Sequence, residues 1–365
     1  MTRLIRALVD TAALRHNLGT IRAYAPGAKV MAVVKANAYG HGLVAAAQAL
    51  ADADCFAVAR LEEGIALRSA GVRAPVVLLE GVFSAEQLAE AARHRFELVV
   101  HDPLQIRLLE AHRGAERFIV WIKMDTGMNR LGFRPEAFPA ALAKLRGLTV
   151  PALELRVMTH LARADEIHEP MTGLQLTRFQ TALSGSDIAT GATRLVTSIG
   201  NSAAILGWPN GHGDWVRPGL ALYGVSPFAR ETARTHGLRP VMTLESTVLT
   251  VRDVKQGETV GYAGTWRAGR DSKIAILAAG YGDGLSWHLA NGTPVLIGGT
   301  RHQLVGRVSM DMIAVDVTDA AKVTTGNKAV IWGEGLPVEE VAAHANTIPY
   351  ELLCGVSQRV PLELQ

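Results

Sequence analysis

A lysine stands at the end of an apolar run near the start of the chain. Lys35 follows two valines in the segment Val33–Gly42, VVKANAYGHG. At the carboxyl end of a parallel strand, such a side chain points into the mouth of a barrel, where a partly dry lysine can lose its proton and form a Schiff base with a carbonyl compound. The alternative is a strand-end lysine that only reaches water. Tyr39 and the glycines beside it favour a ligand site, because a tyrosine hydroxyl can bind phosphate and glycine permits close backbone approach.

Two further cations follow another apolar strand. Lys123 and Arg130 stand seven residues apart in Lys123–Gly132, KMDTGMNRLG, and at one barrel mouth they suggest a site for an anionic substrate. The tripeptide Asp125–Gly127 within it is also compatible with ordinary turn chemistry. His160 ends another predicted strand, and a single histidine in that position is more often structural.

The last third of the predicted barrel carries two polar turns. Asn201–Ala204, NSAA, reads as the start of a helix, where the Ser202 hydroxyl and free backbone N–H groups can hold a phosphate. Arg217 and the turn at Gly219 follow the next apolar stretch. Because the loops after the last strands of such barrels commonly bind phosphate, both turns are candidates for that role.

The elements that position these residues alternate in type. Short β-branched runs, including Lys29–Val34, Cys55–Val58 and Arg117–Ile122, are separated by Ala/Leu-rich stretches with helical spacing, such as Ala85–Arg93 and Pro103–Ala111. This alternation is typical of βαβ units with a parallel sheet. Seven or eight units favour an α/β fold with a closed (β/α)₈ TIM-like barrel over an open doubly wound sheet.

The rhythm changes near residue 230. Beyond a polar stretch at Pro227–Arg239, strands separated by Gly-rich turns are predicted, with few helical patterns, at Val241–Val254, Lys273–Ala279, Pro294–Ile297, Met312–Val317 and Lys328–Trp332. We therefore expect a barrel domain over residues 1–230 and a β-strand-rich domain over residues 231–365. Residues 1–9 are expected to pair with the second domain.

Composition excludes several classes of protein. The 365 residues are 48% hydrophobic and 19% charged, which supports a large core and argues against a disordered or coiled-coil chain. The 37 basic and 34 acidic residues are spread along the chain, so neither a nucleic-acid partner nor a membrane surface is predicted. Two cysteines, no apolar span of membrane length and no export signal favour a cytoplasmic location, and no metal site is predicted.

Taken together, the motifs resemble those of the bacterial alanine racemases, pyridoxal-phosphate enzymes of fold type III. The resemblance extends in the family's order over nearly the whole chain, in Ala32–Gly42, Lys123–Gly132, Thr159–His160, Asn201–Ala204, Arg217–Gly224, Val260–Tyr262, Gly280–Gly284 and Gly306–Asp311. It implies interconversion of L- and D-alanine through an aldimine of pyridoxal 5'-phosphate, in a head-to-tail homodimer whose β domain completes the partner's active site.

The resemblance also implies a role for each residue at the reacting carbon. Lys35 holds the cofactor and exchanges a proton at Cα on one face, while Tyr262 of the partner subunit acts on the other face. Arg217 takes the place by the ring nitrogen where most pyridoxal enzymes have a carboxylate. It donates a hydrogen bond without readily supplying a proton, which disfavours a full quinonoid. His160 supports this arginine.

The remaining implied roles concern phosphate, substrate and access. Phosphate contacts are implied for Tyr39, Ser202, Gly219 and Leu220. Arg130 contacts the cofactor phenolic oxygen and the substrate carboxylate, and it is oriented by Lys123, a lysine that is carbamylated in many relatives. The other implied positions are the partner's substrate contacts Met310 and Asp311 and the access corridor Asp165, Tyr281 and Arg307.

Departures from the family pattern leave some alternatives open. Asn129 replaces a glycine of some relatives, and Gln358 occupies a position where some relatives carry a tyrosine at the phosphate and inner gate, whereas Tyr350 is expected to be structural.

Other functions are also considered. A related barrel decarboxylase would place a carboxylate near the ring nitrogen and use a second-domain cysteine, for which Cys354 is the candidate. A pyridoxal-phosphate carrier protein would lack a second domain. Activity on serine, and biosynthetic supply of D-alanine for peptidoglycan versus its catabolic use, remain open.

Overall fold

A computed structural model describes residues 3–149, 152–184, 194–320 and 322–365. After strand β1 (Ile5–Val9), eight short strands form a closed parallel barrel. In order around the barrel they are β2 (Lys29–Val33), β3 (Cys55–Val58), β4 (Val76–Leu78), β5 (Glu97–Val100), β6 (Arg117–Lys123), β7 (Ala152–Met158), β8 (Val196–Asn201) and β9 (Trp215–Arg217). Pairing of Lys29 with Trp215 and of Val30 with Val216 closes the ring. Strands β3 and β4 are apolar and buried throughout, because both faces of a parallel barrel strand are covered.

Helices follow the strands and cover the barrel. They are α1 (Thr11–Tyr24), the short segment α2 (Lys35–Tyr39), α3 (Leu43–Ala49), α4 (Leu61–Ser69), α5 (Ala85–Arg93), α6 (Pro103–Ala111), α7 (Phe138–Arg146), α8 (Met171–Ser184) and α9 (Ser202–Gly207). Side-chain caps fix several starts, as where Asp10 accepts a hydrogen bond from the N–H of Ala13 at 2.9 Å. The helices predicted at Ala85–Arg93 and Pro103–Ala111 are confirmed.

The second half of the chain forms a separate sheet with its own apolar core. Its strands are β10 (Met242–Val254), β13 (Ser272–Leu277), β14 (Pro294–Ile297), β15 (Thr300–Val305), β16 (Ile313–Asp316), β17 (Lys328–Trp332) and β18 (Leu362–Leu364), and β11 (Thr259–Val260) and β12 (Trp266–Arg267) form a small hairpin. Strand β1 pairs antiparallel with β10 and parallel with β18. The first strand of the chain therefore belongs to this sheet and not to the barrel.

Several elements of the second half were not predicted, among them the short strands β11, β12 and β18. Strand β15 was not predicted, because its first half, Thr300–Gln303, is polar and mostly exposed. Helices α10 (Val338–His344) and α11 (Pro349–Gly355) span seven residues each, about two turns, which is too short for a helical period to be recognised. Within the described ranges, no helix has both the length and the apolar character needed to cross a bilayer.

Candidate active site at the barrel mouth

The carboxyl ends of the barrel strands surround a cavity of about 1090 Å³. Ten residues predicted for the site from one subunit all line it: Lys35, Tyr39, Lys123, Arg130, His160, Asp165, Ser202, Arg217, Gly219 and Leu220. Helices α10 and α11 add Glu339 and Tyr350 from the second half of the chain. Residues more than 180 positions apart therefore meet at the end of the barrel where parallel barrels carry their active sites.

Lys35 and Tyr39 are presented by an unusual turn. Ala36, Asn37, Ala38 and Tyr39 all have φ near the left-handed value, at 54°, 53°, 54° and 53°. Each non-glycine residue in this conformation costs about 1–2 kcal/mol, so other contacts must impose it. Burial and the positive charge of Arg130 lower the pKa of Lys35, which favours the neutral amine.

Arg217 is buried on the cavity floor, 5% exposed, and is held by four acceptors. Its Nη1 donates to Ser198 Oγ at 2.6 Å, and its Nη2 donates to the carbonyl oxygens of Thr159 at 2.5 Å and Ile199 at 3.1 Å. Nη2 also lies 3.3 Å from His160 Nδ1. Burial lowers the pKa of Arg217 to about 10, so it remains charged at neutral pH. Burial and this neighbouring charge lower the pKa of His160 well below its usual value, so the neutral ring can accept the bond.

Lys123 and Arg130 place further positive charge on the cavity wall. Burial, with the charges of Arg217, Arg130 and Lys35, lowers the pKa of Lys123 to about 8. The loop between the two cations is ordered by Asp125, whose Oδ1 accepts from the N–H groups of Gly127 and Asn129, both at 3.0 Å. Asn129 adopts φ of 58°, which asparagine tolerates better than most residues, so it can stand where relatives have glycine.

A cradle of small groups lines the same cavity as these cations. Ser202 Oγ accepts from the backbone N–H groups of Gly219 at 3.0 Å and Ala221 at 3.2 Å. A Cβ at position 219 would overlap the Tyr39 hydroxyl, so the close approach of these two segments requires glycine. The first N–H groups of α9 have no partner within that helix. Hydroxyls, backbone N–H groups and nearby cations form a donor set suited to a phosphate, and a lysine amine faces the same cavity, so the residues fit pyridoxal phosphate.

Five predicted site residues lie elsewhere on the chain. Tyr262, Tyr281 and Met310 are 71%, 43% and 53% exposed, and none of the five lines the cavity. Their loops adjoin: Gly282 N–H donates to the Met310 carbonyl at 2.9 Å, and Tyr281 N–H donates to that of Ser309 at 3.0 Å. The other two are Arg307 and Asp311. The Cζ of Arg307 lies 5.2 Å from the ring centroid of Trp287, and Asp311 Oδ1 accepts a hydrogen bond from Arg359 Nη2 at 2.6 Å. We call the surface that carries these five residues, Tyr262, Tyr281, Arg307, Met310 and Asp311, the β-domain surface.

The structure places two further residues relative to the cavity, Tyr350 and Gln358. Tyr350, expected to be structural, lines the cavity with its ring centroid 5.8 Å from that of Tyr39, and burial raises the pKa of its hydroxyl to about 12. Gln358 is exposed and is not among the residues that line the cavity. The seven-residue helix α11 carries Tyr350 inward, and this helix was not predicted.

One residue of the cavity wall was missed. Glu80 follows β4 and lines the cavity, and its carboxylate acts to raise the pKa of Lys35. Cys354, the cysteine named for the decarboxylase alternative, lies on α11 and is not among the residues that line the cavity.

A closed parallel barrel, a following sheet domain and a lysine among cations at the strand ends define an α/β-barrel enzyme with the alanine racemase-like fold. The model for "Alanine racemase, N-terminal domain" matches residues 9–227, and that for "Alanine racemase, C-terminal domain" matches residues 241–364. The chain belongs to the alanine racemase family.

Individual relatives agree over the full length. An alanine racemase of Nitrosococcus oceani is 48% identical over 360 residues, covering 99% of both chains, and one of Aeromonas hydrophila is 46% identical over 98% of both. The crystal structure of the biosynthetic alanine racemase from Pseudomonas aeruginosa has a TM-score of 0.94 at 42% identity, with all of both chains covered. The alanine racemase from Acinetobacter baumannii has a TM-score of 0.93 at 38% identity over the same coverage.

Proposed function

We propose that this protein interconverts L- and D-alanine with pyridoxal 5'-phosphate held at Lys35, Tyr39, Ser202, Gly219 and Leu220. The observation that carries the proposal is the position of Lys35. It lies at a strand end, with a lowered pKa, in the cavity that also contains the phosphate-type cradle. When bound, pyridoxal phosphate supplies the electron sink that lowers the energy of removing a proton from the amino acid Cα.

Inversion at a carbon needs proton transfer on two opposite faces. Lys35 serves one face, since its lowered pKa shifts the amine toward the neutral form, which is the form that accepts a proton. Tyr262 serves the other face by donating or accepting a proton at its hydroxyl. In one direction Lys35 removes the proton and Tyr262 returns one, and in the other direction the roles exchange. Alanine therefore leaves with inverted configuration and the same number of protons. Before the next turnover in the same direction, Lys35 loses the proton it gained and Tyr262 recovers the one it gave, by exchange with solvent.

We assign Tyr262 to the active site of a second copy of the chain. The high exposure of Tyr262 and Met310, and their absence from the cavity of their own chain, support a head-to-tail homodimer in which the β-domain surface closes the partner's cavity. Aromatic and methionine side chains are typical of interface cores. In this arrangement Met310 and Asp311 reach the substrate carboxylate, the methionine through its backbone N–H, and Tyr281 and Arg307 join Asp165 along the access corridor.

Arg217 is proposed to face the ring nitrogen of the cofactor. Its four acceptors hold the guanidinium in one orientation, and with a pKa of about 10 it stays protonated at neutral pH. It therefore donates a hydrogen bond there while keeping its own protons. His160 remains a neutral acceptor and reinforces this orientation.

Arg130 is proposed to bind the substrate carboxylate, with Lys123 as its positioning residue. At neutral pH, a lysine with a pKa of about 8 has a larger neutral fraction of its amine than an ordinary lysine. Its amine can add to carbon dioxide, forming a carbamate and releasing one proton. This modification would replace a cation beside Arg130 by an anion and remove the repulsion between the two side chains.

The proposal is tested by optical inversion of a panel of small amino acids, including L-alanine, D-alanine and L-serine, with and without added pyridoxal phosphate. We expect inversion of alanine in both directions and dependence on the cofactor. Release of carbon dioxide without inversion would instead indicate a decarboxylase. A yellow protein that changes no amino acid would indicate a carrier. Formation of D-alanine would fit a role in peptidoglycan precursor supply or in D-alanine use.

A further inference from the structure

The left-handed turn that presents Lys35 and Tyr39 is anchored at its start by a carboxylate from another element. Glu63, in the first turn of α4, accepts the backbone N–H of Ala36 at its Oε1 at 2.7 Å. Its Oε2 accepts the N–H groups of Ala59 at 2.9 Å and Arg60 at 3.1 Å. One carboxylate therefore joins the backbone just after β2 to the backbone just after β3.

The other end of the turn is fixed differently. The ring nitrogen Nδ1 of His41 lies 3.0 Å from the carbonyl oxygen of Ala38 and 2.9 Å from that of Tyr39. The side chain of Asn37 accepts the N–H of Leu43 at 2.8 Å. These contacts come from residues next to the turn in sequence, whereas Glu63 alone of these side chains ties the turn to another barrel strand.

A role limited to capping α4 does not account for all three bonds. Glu63 occupies the third helical position, where an acidic side chain commonly accepts the N–H of the capping residue, here Arg60. That bond uses only Oε2. The N–H of Ala36 donates to the other oxygen, Oε1, and Ala36 is the residue directly after Lys35.

We propose that Glu63 is a positioning residue for the cofactor lysine: by holding the Ala36 N–H and the end of β3 with one carboxylate, it fixes the left-handed turn that aims Lys35 and Tyr39 into the cavity. The proposal rests on the proposed function, because it assigns Glu63 a part in cofactor binding. Its negative charge also acts to raise the pKa of Lys35, against burial and Arg130.

The test compares Glu63→Gln with the matched control Glu62→Gln. Both variants remove one carboxylate from the first turn of α4, but the exposed Glu62 makes no hydrogen bond or ion pair within the described residues. A glutamine at position 63 cannot accept at both ends, because its NH₂ group would face one set of backbone donors. Three quantities are measured: the dissociation constant of pyridoxal phosphate, kcat and KM for alanine, and backbone amide hydrogen exchange of residues 34–42 in the cofactor-free protein.

For Glu63→Gln we expect an approximately tenfold or larger rise in the cofactor dissociation constant, a fall in kcat with little change in KM, and faster amide exchange at Ala36. Glu62→Gln should match the unmodified protein in all three. If Glu63→Gln lowers Tm but keeps cofactor affinity, kcat and Ala36 exchange within twofold of the control, Glu63 only caps α4 and the proposal is wrong.

Failure of the Glu63 proposal can be distinguished from a failure of the variant to fold and from a failure of the proposed function. Should Glu63→Gln fail to accumulate as folded protein, Glu63→Asp receives the same measurements. This variant keeps the charge but is one methylene too short to reach both strands, so the same direction of change is expected and the same twofold criterion would overturn the proposal. If the unmodified protein neither binds pyridoxal phosphate nor inverts alanine, the proposed function fails. The Ala36 exchange rate still tests whether Glu63 holds the turn.

Discussion

Three cations in the cavity tolerate burial by two different means. Burial lowers the pKa of both Lys35 and Lys123, which shifts each amine toward its neutral form. Arg217 keeps its charge because hydrogen-bond acceptors surround it. This difference corresponds to the roles proposed for them: a lysine that exchanges protons must be able to lose one, whereas an arginine that only donates a hydrogen bond must not.

Replacing Lys35 by alanine is expected to abolish racemisation in both directions, because one of the two proton-transfer groups and the cofactor attachment are lost together. Optical inversion is measured from L-alanine and from D-alanine. Lys29→Ala is the matched control, since Lys29 is an exposed lysine at the other end of the same strand, over the Trp215 ring at 5.3 Å. Substantial activity in the Lys35 variant would refute its assignment.

Replacing Arg217 by glutamate is expected to favour transamination, because a carboxylate at the ring nitrogen keeps that nitrogen protonated and stabilises charge in the cofactor. We expect kcat for racemisation to fall by about 10²-fold, the size typical of losing one preorganised electrostatic contact. Pyruvate formed per racemisation event should rise. Arg217→Gln separates the two causes, since it removes the guanidinium without adding a carboxylate. An unchanged pyruvate ratio in the glutamate variant would argue against the ring-nitrogen role.

At the scale of elements, close packing between turns shapes the phosphate cradle. The turn after β9 approaches the turn after β2 so closely that Gly219 leaves no room for a side chain beside Tyr39. The φ of Gly219 is −117°, outside the left-handed region, so the requirement for glycine argued here is the crowding against Tyr39.

Gly219→Ala should therefore weaken pyridoxal-phosphate binding by tenfold or more, because Tyr39 or the turn must move away from the cradle. The dissociation constant is measured by titration of the cofactor-free protein. Gly173→Ala, in α8, is the control: a Cβ there meets nothing within 4 Å, and alanine favours a helix by about 0.5–1 kcal/mol. Equal cofactor affinity in the two variants would exclude a crowding role for Gly219.

The sequence predicts barrel strands such as Cys55–Val58 because burial on both faces leaves a continuous apolar run. It does not predict the left-handed turn at Ala36–Tyr39. Alanine has no local preference for that conformation, and the Glu63 bond that anchors it comes from a residue 27 positions away. The place of Tyr350 is also missed, because it depends on how the short helix α11 packs against the barrel. Local patterns thus identify Lys35, while its orientation depends on long-range contacts.

At the scale of the whole molecule, one chain contains two incomplete halves of the proposed site. The barrel cavity contains Lys35 but not Tyr262, and the β-domain surface presents Tyr262 and Met310 to solvent. Family motifs indicate both halves, but a single sequence cannot fix which copy of the chain supplies each of them. A closed twofold dimer brings them together twice, since any contact made by one subunit is repeated by the other.

Mixing two inactive variants tests this arrangement directly. Lys35→Ala and Tyr262→Phe each remove one proton-transfer group, so neither homodimer should racemise alanine. A hybrid of one Lys35→Ala subunit and one Tyr262→Phe subunit has one site with both defects and one site with Lys35 and Tyr262 intact. After co-refolding or subunit exchange of equal amounts, random pairing should restore about one quarter of the unmodified activity, since half of the dimers are hybrids with one good site. If both groups instead came from the same chain, every site in the mixture would lack one of them and no activity would return.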